Sequence, residues 1–73
     1  MARLDECETL EDLFYNREDL TGWEVLQWLR MRGVSGEDLV SQTAVTMTVY
    51  DGWKQGLFLV EGDVVGLREW KSN

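Results

Sequence analysis

The clearest apolar pattern in the chain lies at about residues 21–32. Thr21 and Glu24 stand three residues apart in the T-x-x-E arrangement of a capping box, in which each side chain bonds the other residue's backbone amide. Gly33 follows as a residue suited to a left-handed helix stop. These signals predict a helix at about 21–32. Its expected buried stripe consists of Val25, Leu26 and Leu29.

Two further helices are predicted on either side of this one. Between about 5 and 15, apolar side chains recur at the three-and-four spacing of one helix face. Acidic residues gather in the first half of this segment, where the helix dipole favours them. The expected stripe consists of Cys7, Leu10, Leu13 and Phe14. A shorter helix is predicted at about 37–41, with Ser35 as a plausible cap.

After residue 42 the pattern changes from a helical period to an alternating one. Residues 43–50 alternate valine and methionine with threonine and tyrosine, which is typical of a β-strand. The alternative is that 36–50 continues as one helix in an all-helical bundle. The β-branched residues argue against this alternative because they lose side-chain freedom in a helix.

A hairpin is predicted at about 57–61 and 64–70, because the Gly62-Asp63 pair between these runs suits a two-residue turn with glycine first. The register that this turn imposes sets two apolar pairs on one face of the hairpin. These pairs are Val60 with Val65 and Phe58 with Leu67.

Together these elements predict a single small α+β domain over residues 1–73. Two or three N-terminal helices are followed by a three-stranded antiparallel β-meander, whose apolar face packs on the helices. A domain of this size buries only about 60% of the surface that its unfolded chain exposes. Binding to a partner or self-association is therefore one route to additional stability.

The charge of the chain is concentrated in its first third. The net charge is −7, and residues 1–24, with eight acidic and two basic residues, contribute −6 of it. A chain this acidic does not suit a phosphate-neutralising surface, so we expect no direct nucleic-acid binding and a protein partner with a basic surface. The alternative is that the charge only keeps the protein soluble. The acidic residues expected to meet a partner are Glu8, Glu11 and Asp12.

Residue types that catalysis requires are scarce. The chain has one cysteine, Cys7, and no histidine, which excludes an internal disulfide, a zinc site and an imidazole base. The chain contains neither of the glycine-rich phosphate-binding motifs G-x-x-x-x-G-K-[ST] and G-x-G-x-x-G. We therefore expect no enzyme activity, no catalytic residue, no metal site and no cofactor, and we expect Cys7 to be a buried packing residue.

The longest strictly apolar run has four residues, far fewer than the ~20 that a membrane span needs. A single cysteine and the lack of a secretory signal pattern fit a reducing setting. The chain is therefore expected to be soluble and cytoplasmic, without membrane association.

Four tryptophans are many for 73 residues, and they indicate a binding surface. At about 100° per residue, Trp23 and Met31 fall off the buried stripe of the second helix. Either this helix is sandwiched between the sheet and another helix, or these side chains meet a partner. Tryptophan, methionine and arginine are favoured at interface centres. The expected protein-binding residues are Trp23, Trp28, Arg30, Met31 and Trp53, while Trp70 suits either an exposed anchor or the core edge.

These features favour a small regulator, inhibitor or adaptor that docks on a larger protein. The first alternative is an acidic nucleic-acid mimic, of a viral or mobile-element type, that occupies the basic groove of a DNA- or RNA-binding enzyme. The second alternative is a small structural subunit of a homo-oligomeric or viral assembly. Salt dependence of binding distinguishes the mimic, and mass in solution distinguishes the oligomer.

Overall fold

A computed structural model of the chain describes residues 3–68. Its elements, in chain order, are a 3₁₀ turn (Leu4–Glu6), helices α1 (Leu10–Asn16), α2 (Gly22–Met31) and α3 (Gly36–Lys54), and strands β1 (Phe58–Glu61) and β2 (Val64–Leu67). The fold is α+β, as the sequence predicts. Within residues 3–68 the sheet has two strands rather than the three that were predicted.

Helix α2 forms where its capping signals place it. The Thr21 hydroxyl accepts from the Glu24 amide at 3.2 Å, and the Glu24 carboxylate accepts from the Thr21 amide at 3.3 Å. Gly33 takes a φ of 90° just beyond the helix, in the left-handed region that glycine adopts without strain. Of the predicted stripe, Val25 and Leu29 are buried and Leu26 is half-buried.

The predicted strand over 43–50 is wrong, and so is the separate short helix at 37–41. Both segments belong to the single 19-residue helix α3, as the helical alternative for 36–50 proposed. Two of its threonines bond back to carbonyl groups four residues earlier, Thr43 to Leu39 at 2.6 Å and Thr48 to Ala44 at 3.0 Å. These bonds allow a threonine to satisfy its hydroxyl within a helix.

Packing explains why this β-branched segment is helical. The inward face of α3 repeats at helical spacing and includes Leu39, Thr43, Thr46, Met47, Tyr50 and Trp53. Burying one large apolar side chain is worth about 1.5–3 kcal/mol, whereas the β-propensity scale spans only about 1 kcal/mol. The alternating residues Val45 and Met47 do not lie on one buried face, since Val45 is exposed and Met47 is half-buried.

The hairpin has the predicted register. Phe58 lies opposite Leu67, and Val60 lies opposite Val65. Gly62 has a φ of 60°, while no described non-glycine residue has a positive φ, so the turn takes the glycine-first form. Strand β2 ends at Leu67, short of the predicted bound, and the prediction for Trp70 lies outside the described residues.

The predicted helix at 5–15 is wrong in its bounds. An extended break at residues 7–9 separates the turn Leu4–Glu6 from α1, because the Thr9 hydroxyl accepts from the Asp12 amide at 3.2 Å and caps a new helix. The predicted stripe nevertheless points inward: Cys7, Leu13 and Phe14 are buried and Leu10 is half-buried.

The core lies where the three helices meet the inner face of the hairpin. Its buried members are Cys7, Leu13, Phe14, Leu20, Val25, Trp28, Leu29, Tyr50 and Val60. The two aromatic residues with polar groups are satisfied within it. The Trp28 indole donates to the Cys7 carbonyl at 2.8 Å, and the Tyr50 hydroxyl donates to the Glu18 carbonyl at 2.6 Å.

Candidate protein-binding surface

The side of α2 that points away from the core carries two large apolar residues. We call this surface the α2 outer face; it consists of Trp23, Gln27, Arg30 and Met31. Because Val25 and Leu29 are buried, the helical period places Trp23 and Arg30 on the opposite side. Trp23 is 69% exposed and Met31 is 57% exposed. No second layer formed by residues 3–68 covers this side of α2, and the side chains of Trp23 and Met31 face outward.

The two arginines near the end of α2 have different surroundings. Arg32 is held by the fold: its guanidinium lies 4.3 Å from the Trp28 ring centroid, donates to the Glu8 carbonyl at 3.1 Å and pairs with Asp63 at 3.5 Å. Arg30 is exposed and makes no hydrogen bond or ion pair through its side chain with any residue between 3 and 68. The cation on the α2 outer face is thus available to a ligand.

The two other tryptophans named as binding residues lie elsewhere. Trp28 is only 2% exposed and belongs to the core, so it cannot contact a partner of the folded domain. Trp53 lies near the end of α3, and it is half-buried. Its ring packs edge to face with Tyr15 at 5.2 Å between centroids.

Tyr15 is an exposed aromatic residue that the sequence analysis did not single out. It lines a cleft of about 350 Å³ together with Phe14, Arg17, Glu18, Tyr50, Trp53 and Lys54. Its position next to Phe14, off the buried stripe of α1, was the available signal. The Lys54 ammonium donates to the Glu18 carbonyl at 3.0 Å, which fixes the rim of this cleft.

Two of the three predicted acidic contact residues accept hydrogen bonds from backbone amides of the chain. The Glu11 carboxylate accepts from the Gly62 amide at 2.8 Å and so joins α1 to the hairpin turn. The Asp12 carboxylate accepts from the Glu8 amide at 3.3 Å. Glu8 itself is exposed, and its carboxylate makes no bond to a described residue. Of this group, Glu8 is the one whose charge is not engaged.

Cys7 has the environment of a packing residue. Burial raises the pKa of its thiol, more than the nearby Arg17 lowers it, and Asp12 and Glu6 add to the rise. The thiol therefore stays protonated at neutral pH and is a poor nucleophile. Between residues 3 and 68, no group of three or more metal-ligating side chains is placed to hold an ion. No described helix combines the length and apolar character of a membrane span.

Comparisons of this chain with protein-family models, with curated proteins and with solved structures found no match. The proposal for its function is therefore based on the chemistry of its own surface.

Proposed function

We propose that this chain is a non-enzymatic protein-binding module, a small regulator, inhibitor or adaptor that docks on a larger protein through the α2 outer face. The supporting observation is the exposure of Trp23 on the solvent side of a well-capped helix. Burying a large apolar side chain is worth about 1.5–3 kcal/mol, which the isolated domain does not gain here. Tryptophan, methionine and arginine together are the residues favoured at interface centres.

The chemistry of this face defines the partner that it fits. Trp23 and Met31 require an apolar groove of the kind that receives one face of a helix. Arg30 favours an acidic group at the edge of that groove, where a charge-assisted hydrogen bond can form. Outside the groove, a basic surface on the partner would be attracted to the acidic first third of the chain.

A nucleic-acid mimic is the second candidate, and one observation favours it. Among the described residues, four carboxylates in the first third of the chain make no hydrogen bond or ion pair. They belong to Glu6, Glu8, Glu18 and Asp19. A mimic would use these charges directly, so its binding would weaken steeply with salt and would be indifferent to Trp23.

The test uses the full chain as bait for a partner, followed by titration of the purified partner. Trp23→Ala is expected to weaken binding by about 2 kcal/mol or more, which is roughly thirtyfold in Kd. The unfolding midpoint should barely move, because the side chain is exposed. Met31→Ala should act in the same direction with a smaller effect.

The matched control is Val40→Ala, which trims an exposed apolar side chain on α3. It should leave binding unchanged. A partner that binds the Trp23→Ala and wild-type chains equally tightly would contradict docking through the α2 outer face. Equal binding combined with a steep salt dependence would favour the mimic instead.

A further inference from the structure

The outer edge of β2 is a second surface, and no residue between 3 and 68 pairs with it. The Arg68 amide donates to the Leu57 carbonyl at 2.9 Å, which fixes the phase of the antiparallel ladder. The N–H and C=O groups of Val65 and Leu67 then point away from β1, whereas those of Val64 and Gly66 point toward it. No other backbone group between residues 3 and 68 bonds to this edge.

Exposed apolar side chains accompany this edge. Val64 is 71% exposed and Leu67 is 76% exposed, and Leu59 on the neighbouring strand is exposed as well. Unpaired edges are usually protected by shortness of the strand, by charged side chains or proline, or by a bulge. Strand β2 is short, but its four residues are two valines, a glycine and a leucine, with no charge and no proline. Its edge is therefore open to another strand.

The charges of the hairpin form a self-complementary pattern. Residues 57–68 contain two acidic residues and one basic residue, so the hairpin segment contributes only −1 to the net charge of −7. Glu61 lies at the turn end of the hairpin, and Arg68 lies at its open end. Two hairpins that meet side by side in opposite directions would place the acidic end of each beside the basic end of the other.

We propose that β2 pairs antiparallel with β2 of a second copy of this chain, which gives a four-stranded sheet across a two-fold axis at Gly66. In this register Val65 lies opposite the partner's Leu67. The N–H and C=O groups of these two residues, which point away from β1, can then form hydrogen bonds with each other. Val64 then faces the partner's Arg68. Strands lie about 4.8 Å apart, so the partner's Arg68 can reach across Val64 to Glu61. Because the two-fold axis repeats each contact, the dimer contains two ion pairs between Glu61 of one copy and Arg68 of the other.

A second copy fits this edge better than an unrelated strand because the pattern complements itself. The alternative occupant, a segment of a different protein, would need its own matching apolar and charged positions. Two strands of four residues form an interface smaller than the standard size of about 1,600 Å². The dimer is therefore weak, and its population depends on protein concentration. Association through this edge is independent of docking through the α2 outer face.

Sedimentation equilibrium of the full chain over a wide concentration series measures this association. The wild-type chain should show a monomer–dimer equilibrium. Leu67→Pro removes one edge donor without removing a bond to β1 and should shift the chain to monomer. Val64→Lys, which sets a cation against the partner's Arg68, should do the same. Val45→Lys on α3 is the control with the same charge change and should leave the dimer intact.

Charge exchange between Glu61 and Arg68 tests the register. Glu61→Arg alone and Arg68→Glu alone should each weaken the dimer roughly tenfold, since each sets like charges together. An equal mixture of these two variants should restore association, because both pairs in the mixed dimer are again of opposite sign. The chain that carries both substitutions keeps the wild-type net charge and should also dimerise.

Three results would overturn this inference. They are a chain that stays monomeric at every concentration, a Leu67→Pro variant that is folded by circular dichroism and dimerises like wild type, and a variant mixture that stays monomeric. A dimer that persists in Leu67→Pro but is lost in Trp23→Ala would place self-association on α2. That outcome would refute the sheet-edge dimer and leave α2 as the docking surface.

Discussion

Tyr50 anchors the segment between α1 and α2 through one hydroxyl group. The hydroxyl accepts from the Leu20 amide at 3.3 Å and donates to the Glu18 carbonyl at 2.6 Å. Its ring packs edge to face on Phe14 at 5.2 Å between centroids. A segment without regular structure needs such partners because its buried backbone groups have no ladder of their own. Tyr50 thus supports the position of Thr21, where α2 and its outer face begin.

Tyr50→Phe is expected to lower the free energy of unfolding by about 1–3 kcal/mol, because it leaves the buried Leu20 amide without an acceptor. The ring and its packing remain, so the loss reports on the hydroxyl alone. Urea denaturation measures the change. Tyr15→Phe, at an exposed tyrosine, is the control and should have little effect. Equal stability of both variants would show that water replaces the lost hydroxyl.

At the scale of elements, the sequence predicts best those features that are decided locally. The capping box of α2 involves only Thr21 and Glu24, and the hairpin turn requires only a glycine at position 62. Both were therefore predictable. The helical period of α2 also placed Trp23 off the buried stripe, but it left open whether a second layer of the fold covers that side of the helix.

Features decided by distant contacts were not predictable in the same way. Residues 43–50 have the composition of a strand, yet they are helical because α3 packs along α2 and against β1. Trp28 was predicted to bind a partner, but it is buried and its indole donates to the Cys7 carbonyl, 21 residues earlier in the chain. The role of Glu11 depends on the Gly62 amide, 51 residues later in the chain, which only the folded chain brings within bonding distance.

Gly52 shows how closely α3 and the hairpin fit together. A Cβ atom at this helical position would overlap the ring of Phe58 in β1. Gly52→Ala is therefore expected to destabilise the protein, since overpacking typically costs about 1–3 kcal/mol, more than the ~1 kcal/mol that alanine gains in a helix interior. Thermal unfolding followed by circular dichroism measures the result.

The matched control is Gly22→Ala in the first turn of α2. Apart from the neighbouring residues in the chain, no described atom outside the helix lies within 4 Å of the new Cβ, so this substitution should be neutral or slightly stabilising. A Gly52→Ala variant as stable as Gly22→Ala would show that the Phe58 ring moves aside without loss. Such a result would make the contact between α3 and β1 looser than the structure indicates.

At the scale of the whole molecule, the separation of charge from apolar surface is the main feature. The first third carries a net charge of −6, whereas residues 25–73 carry only −1, and the hairpin exposes apolar side chains. Long-range attraction acts before contact and depends on salt, whereas apolar contact determines how long a complex lasts. The proposed functions of the two regions can therefore be separated by kinetics.

Substitution of Glu6 and Glu18 by lysine tests the acidic region without breaking its structure, because neither carboxylate bonds to a described residue. For a partner with a basic surface, this double variant should associate several-fold more slowly at low salt, with little change in dissociation rate. The difference should vanish at high salt, because screening removes long-range attraction.

The control substitutes Glu37 and Asp51 by lysine, which changes the net charge equally outside the first third. If both variants slow association to the same degree, net charge rather than its location steers the encounter. If neither does, the acidic residues serve solubility alone. Stopped-flow measurement of association at two salt concentrations distinguishes these outcomes.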